Sequence, residues 1–157
     1  MRGKATMKAK EETKQMKDFK ENFALIRQAT GWSTAELASR TGASPQTINN
    51  IELNNSKLTT MAYYAIRYAL ESEMKEHPDE NEMLKYVLDA FVDNREKYTD
   101  EERQAIREKT EMLSPSLKGK KANKKEISKI WKAVLAGSVV AIASAITIAG
   151  ITAWRKK

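Results

Sequence analysis

The sequence predicts an all-α protein: a helical bundle, a run of charged helices behind it, and a single C-terminal transmembrane helix. Three observations predict this. Apolar residues recur at three- and four-residue spacing as far as Leu113, capping residues stand where those runs begin, and the 22 residues from Ala133 to Trp154 carry no charge. Helical spacing puts each apolar set on one stripe, which must be buried against a neighbour.

Composition narrows the chemistry. The chain has 157 residues, no cysteine and one histidine, so neither a disulfide nor a thiolate metal site is available. His77 precedes Pro78 in a linker-like position and reads as a surface residue. No phosphate-cradling glycine loop, paired catalytic carboxylates or nucleophile elbow appears. Neither an enzymatic role nor a cofactor or metal is expected. The formal net charge is +7, and it is distributed in blocks.

Residues 1–17 form a basic arm without the apolar run of a signal peptide. Such an arm suits contact with phosphates or a minor groove. From Met16 the series Met16, Phe19, Phe23, Ile26 predicts the first helix of a domain spanning 18–76. Ser33 is a good N-cap, and Glu36 three residues later completes a capping box. Gly42 stands where that helix must stop and reverse. Ser44 then caps a second short helix with Pro45 at its first position, where a missing N–H costs nothing. Ile48 and Ile51 point inward, leaving Gln46, Asn49 and Asn50 on the wet face. Amides suit base edges, because Asn and Gln pair bidentately with adenine in the major groove.

The stretch Arg27 to Asn55 resembles the Cro/repressor-type (XRE-like) helix-turn-helix family of DNA-binding regulators. The resemblance rests on Arg27, Ser33-Thr34-Ala35-Glu36-Leu37-Ala38, Thr41-Gly42-Ala43-Ser44, Thr47-Ile48 and Ile51-Glu52, and covers about residues 22–70. It implies double-stranded DNA as partner. Base contacts would come from Gln46, Asn49 and Asn50, and phosphate contacts from Thr34, Ser44, Thr47, Asn55 and Lys57. It also implies an ion pair between Arg27 and Glu52, tying the first helix to the end of the recognition helix. Three positions depart from the pattern: Thr34 replaces a frequent glutamine, Leu53 a frequent basic residue, and Asn54 the usual glycine. Asn tolerates the left-handed conformation, so the turn survives. Residues 22–60 carry only three basic and two acidic side chains.

A longer helix is expected from Thr59 or Thr60 to about Glu76, with Tyr63, Ile66, Ala69 and Leu70 inward. Residues 77–114 form an acidic helical extension. Its first helix carries Met83, Leu84, Val87, Leu88, Phe91 and Val92 as one stripe. Its second opens at Tyr98-Thr99-Asp100-Glu101-Glu102 and shows a sparse face of Ile106, Met112 and Leu113, expected to need a partner or to serve as a charged spacer. Residues 115–129 hold six lysines and one acid around Pro115 and Gly119 and read as a basic linker.

The uncharged run, about 33 Å of helix at 1.5 Å per residue, places a transmembrane helix over 130–154. Trp131 and Trp154 bracket it at interface depth, and residues 155–157 form a basic tail. Seven lysines between Lys118 and Lys132 outnumber the three terminal charges, so the amino-terminal side is expected in the cytoplasm, facing anionic lipid. This is the layout of a tail-anchored protein without an external sensor domain. Ala133, Gly137, Ala141, Ala145, Ala149 and Ala153 make a ridge of small residues, which in a bilayer favours a homodimer. The layout also resembles bacterial rod-shape proteins, which join such a domain to a membrane span and bind a cytoskeletal filament. In that second reading the domain is an adaptor for a protein partner.

Overall fold

The computed structural model describes residues 14–117 and 121–135, and every regular element among them is helical. Helix α1 spans 14–21 and α2 spans Phe23–Thr30. They are not the single helix that the apolar spacing suggests. Asn22 interrupts it at φ −109° and ψ 18°, and its side-chain amide donates to Asp18 O at 2.8 Å. The bend still leaves Phe19, Phe23 and Ile26 fully buried. Phe19 meets Phe23 and Tyr63 edge-on, at ring-centroid distances of 5.9 and 5.2 Å.

Helices α3 (Thr34–Thr41) and α4 (Pro45–Glu52) follow, each started by the expected serine. Ser33 Oγ accepts from the Glu36 N–H, and Ser44 Oγ from the Thr47 N–H, each at 3.1 Å. Between them Gly42 takes φ +76° with open space around its α-carbon, so conformation rather than crowding demands glycine. Asn54 takes φ +62° and turns the chain toward α5 (Thr60–Glu76), which Thr59 caps. Tyr63, Ile66, Ala69 and Leu70 of α5 are buried.

Helix α6 (Glu82–Leu88) runs into a π-turn over Asp89–Asp93 and then a 3₁₀ turn over Arg95–Lys97. The six expected apolar residues of this stretch are all buried. Helix α7 (Asp100–Leu113) opens with a full capping box between Thr99 and Glu102. It does not stand off as a spacer: Ile106, Lys109, Thr110 and Leu113 are buried, and α7 packs against α2 and α6. Arg107 lies 5.1 Å over the Phe91 ring and donates to Asn22 Oδ1 at 2.9 Å. Residues 18–76 and 77–114 therefore share one core with α2 at its centre.

The basic linker expected over 115–129 is replaced by a 3₁₀ turn at Ser114–Leu117 and a helix, α8 (Lys121–Leu135). Lys124, Ile127, Ser128 and Trp131 fall at helical spacing and are all buried. The stripe is narrow and flanked by lysines, which hides it from a reading based on charge. Trp131 does not stand at a membrane interface. It is fully buried, with its ring 6.3 Å from that of Tyr86. No helix among the described residues is long and apolar enough to cross a membrane. The transmembrane expectation rests on residues 136–154, and with Gly137, Ala141, Ala145, Ala149 and Ala153 these lie outside the described residues, as does most of the basic arm.

Candidate nucleic-acid interface

Helices α3 and α4 pack against each other and, through α3, on α5. Leu37 and Ala38 of α3 and Ile48 and Ile51 of α4 supply the buried side of this unit. What remains outward on α4 is uncharged and amide-rich. Gln46 and Asn49 are exposed and Asn50 is half-buried. Among the described residues none of the three side chains finds a hydrogen-bond partner, which leaves their donors and acceptors open to an external one.

The surrounding polar groups differ in how free they are. Thr34 is half-buried at the first position of α3, and Lys57 is exposed in the loop before α5. Ser44 and Thr47 are exposed but partly committed, since their hydroxyl oxygens lie 2.8 Å apart. Asn55 has an exposed side chain, while its backbone N–H is taken by Asn50 O at 2.8 Å. Its contribution to an anion is thus confined to the side chain.

Arg27 and Glu52 fix the orientation of α4. Arg27 Nε and Nη2 donate to the two carboxylate oxygens of Glu52, each at 2.7 Å, and Nη1 donates to Trp32 O at 3.0 Å. The bidentate bond holds the arginine pKa above its ordinary value against the opposing effect of burial. One guanidinium thereby ties α2, the α2–α3 turn and the last residue of α4 together.

A second charged knot lies near the carboxy-terminal end of α5. Glu73 accepts from Lys124 at 3.3 Å and meets Arg40 at 3.5 Å. Arg40 stacks 4.1 Å over the Trp32 ring, and Lys124 lies 5.7 Å from the same ring. Desolvation pushes the Lys124 ammonium pKa down, while Glu73 opposes that shift. Sequence reasoning passed over Trp32, Arg40, Glu73 and Lys124. The only available signal was the spacing of Lys124, Ile127, Ser128 and Trp131. His77 and Glu80 stand close to Glu73, but Glu73 already serves two cations.

A cleft of about 530 Å³ lies between α5, α6 and the π-turn, lined by Arg67, Glu71, Lys85, Tyr86, Asp89 and Tyr98 among others. Its charges are largely spent on one another. Arg67 bridges Asp93 through both terminal nitrogens and reaches Glu71, and the Tyr98 hydroxyl donates to Asp89 Oδ2 at 2.6 Å.

No protein-family model, curated protein or solved structure matches the chain.

Proposed function

We propose that this chain is a membrane-anchored, sequence-specific DNA-binding transcriptional regulator whose α3–turn–α4 unit is a helix-turn-helix. The observation that carries the reading is the outward face of α4. Gln46, Asn49 and Asn50 present unspent amide groups there, on a helix too short and too polar on that side to serve a core. Major-groove reading calls for that chemistry on the outward face of a recognition helix; Gln46 lies in the amino-terminal half of α4, where base contacts concentrate, and Asn49 and Asn50 follow one turn on. Lys57, Thr34, Ser44, Thr47 and the Asn55 side chain would add phosphate contacts. The small positive charge of this segment leaves much of the electrostatic attraction to the basic arm and to pairing of two chains.

The anchor is supported by the uncharged run from Ala133 to Trp154. Helix α8 is docked through Trp131 and continues to Leu135, so the domain would reach into the start of that uncharged run. DNA reading is tested by pull-down of genomic fragments with the full chain in vesicles, sequenced at two salt concentrations. Enrichment of one sequence class that weakens with salt is the expected result; equal, weak recovery of all fragments would refute it. Anchoring is tested by ending the chain after Leu135, which keeps α8 and should move the protein from the membrane pellet to the supernatant.

A further inference from the structure

Among the described residues the most exposed large apolar side chains are Met61, Tyr68, Leu53 and Tyr64, at 83, 75, 60 and 51 %. Three of the four lie on α5. Met61, Tyr64 and Tyr68 follow i, i+3, i+7 spacing, which places them on one stripe opposite the buried Tyr63, Ile66 and Leu70. Isolated exposed apolar residues are ordinary, but a contiguous row on one helix marks a contact surface. Its rim is charged with opposite signs at its two ends. Lys57 stands exposed three residues ahead of α5; one turn beyond Tyr68 comes Glu71, which stays 58 % exposed although Arg67 reaches it at 3.0 Å, and exposed Lys75 follows a further turn on.

We propose that a second copy of this chain docks here, the two α5 helices packing antiparallel about a two-fold axis beside Ala65. A stripe acid at one end and basic at the other is complementary to itself when inverted. With the axis between Tyr64 and Ala65, Met61 faces Tyr68 of the other copy, and the Lys57 end faces the Glu71 end. The acid then also lies near the amino terminus of the opposing helix, the favourable end of its dipole. Ala65, small and half-buried, lets the helices approach. A groove of about 220 Å³ runs along the edge of the stripe, lined by Met61 and Ala65 on α5 and by Thr47 and Ile51 on α4. It is smaller than the roughly 300–1,000 Å³ of small-molecule sites, and it opens where the opposing Tyr68 ring arrives. This surface is distinct from the small-residue ridge; it shares Lys57 and Thr47 with the proposed phosphate contacts, but its test reads self-association without DNA.

The chain has no cysteine, so a single introduced thiol reports the axis. In vesicles holding the full chain, Ala65→Cys should join to itself with a short thiol-specific crosslinker, and Glu108→Cys, exposed on α7, should not. Tyr64→Cys serves in its place if the first substitution perturbs the helix. Adding Glu71→Lys should cut the crosslinked yield roughly tenfold, and adding Lys57→Glu to that variant should restore it. A yield at residue 65 no higher than at residue 108 overturns the proposal. So does failure of the double charge swap to restore it, because that removes the antiparallel register.

Discussion

Lys124 Nζ lies 3.3 Å from Glu73 Oε1, and the two side chains are 11 and 8 % exposed. This contact pins α8 to the end of α5, beside Trp32, and makes α8 part of the globular core. Removing the carboxylate with Glu73→Gln leaves the Lys124 ammonium desolvated without its partner. The expected cost is about 3 kcal/mol, read as a lower urea midpoint for the full chain in detergent. Trp131→Ala, which empties a fully buried site, should cost about 3–5 kcal/mol. Unchanged midpoints in both variants would show α8 to be dispensable to the core.

The bidentate pair of Arg27 and Glu52 has partly buried side chains, 17 and 14 % exposed. Arg27→Met keeps the stem but leaves Glu52 and the Trp32 carbonyl without their donor. It should lower stability by about 2–3 kcal/mol, somewhat less than a fully buried pair would lose. The Arg27→Met/Glu52→Gln double variant should recover part of that loss. A double variant no more stable than the single one would mean that the pair does not couple α2 to α4.

Base readout separates from phosphate attraction in a salt titration. Gln46→Ala or Asn49→Ala should each cost about 1–3 kcal/mol at one base position and relax preference there. Lys57→Ala should weaken all duplexes alike and reduce the slope of log affinity against log salt by about one unit. A uniform loss from the Gln46 and Asn49 variants would assign α4 to non-specific contact.

Burial pushes the Lys109 ammonium pKa down to about 8, with Glu108 opposing the shift. Below that value the folded chain carries a desolvated charge. Between about pH 8 and 10.5 the unfolded chain holds a proton that the folded chain has released. Stability should therefore rise with pH through this window. Lys109→Met should abolish the rise, measured as the difference in urea midpoints between pH 8 and pH 10. A parallel rise in the variant would place the titrating group elsewhere.

The sequence by itself determined where α3, α4, α5 and α7 begin and which of their residues turn inward. Ser33, Ser44, Thr59 and Thr99 cap through bonds to an N–H three residues ahead, and Gly42 reverses the chain through its own backbone freedom. Such signals act within one turn, so they are legible from neighbours alone. The Arg27–Glu52 tie was legible only through a family resemblance, since 25 residues separate the partners. Only the tertiary structure decided what each stripe packs against. It put the sparse face of α7 on α2, joined residues 18–76 and 77–114 in one core, and turned a lysine-rich stretch into a docked helix. That last result rests on the burial of Ile127 and of Trp131, the latter beside Tyr86, while Lys124 finds Glu73. Spacing along a chain states which side chains share a face; the energy that holds the face down comes from residues far away in sequence, and only the fold brings them together.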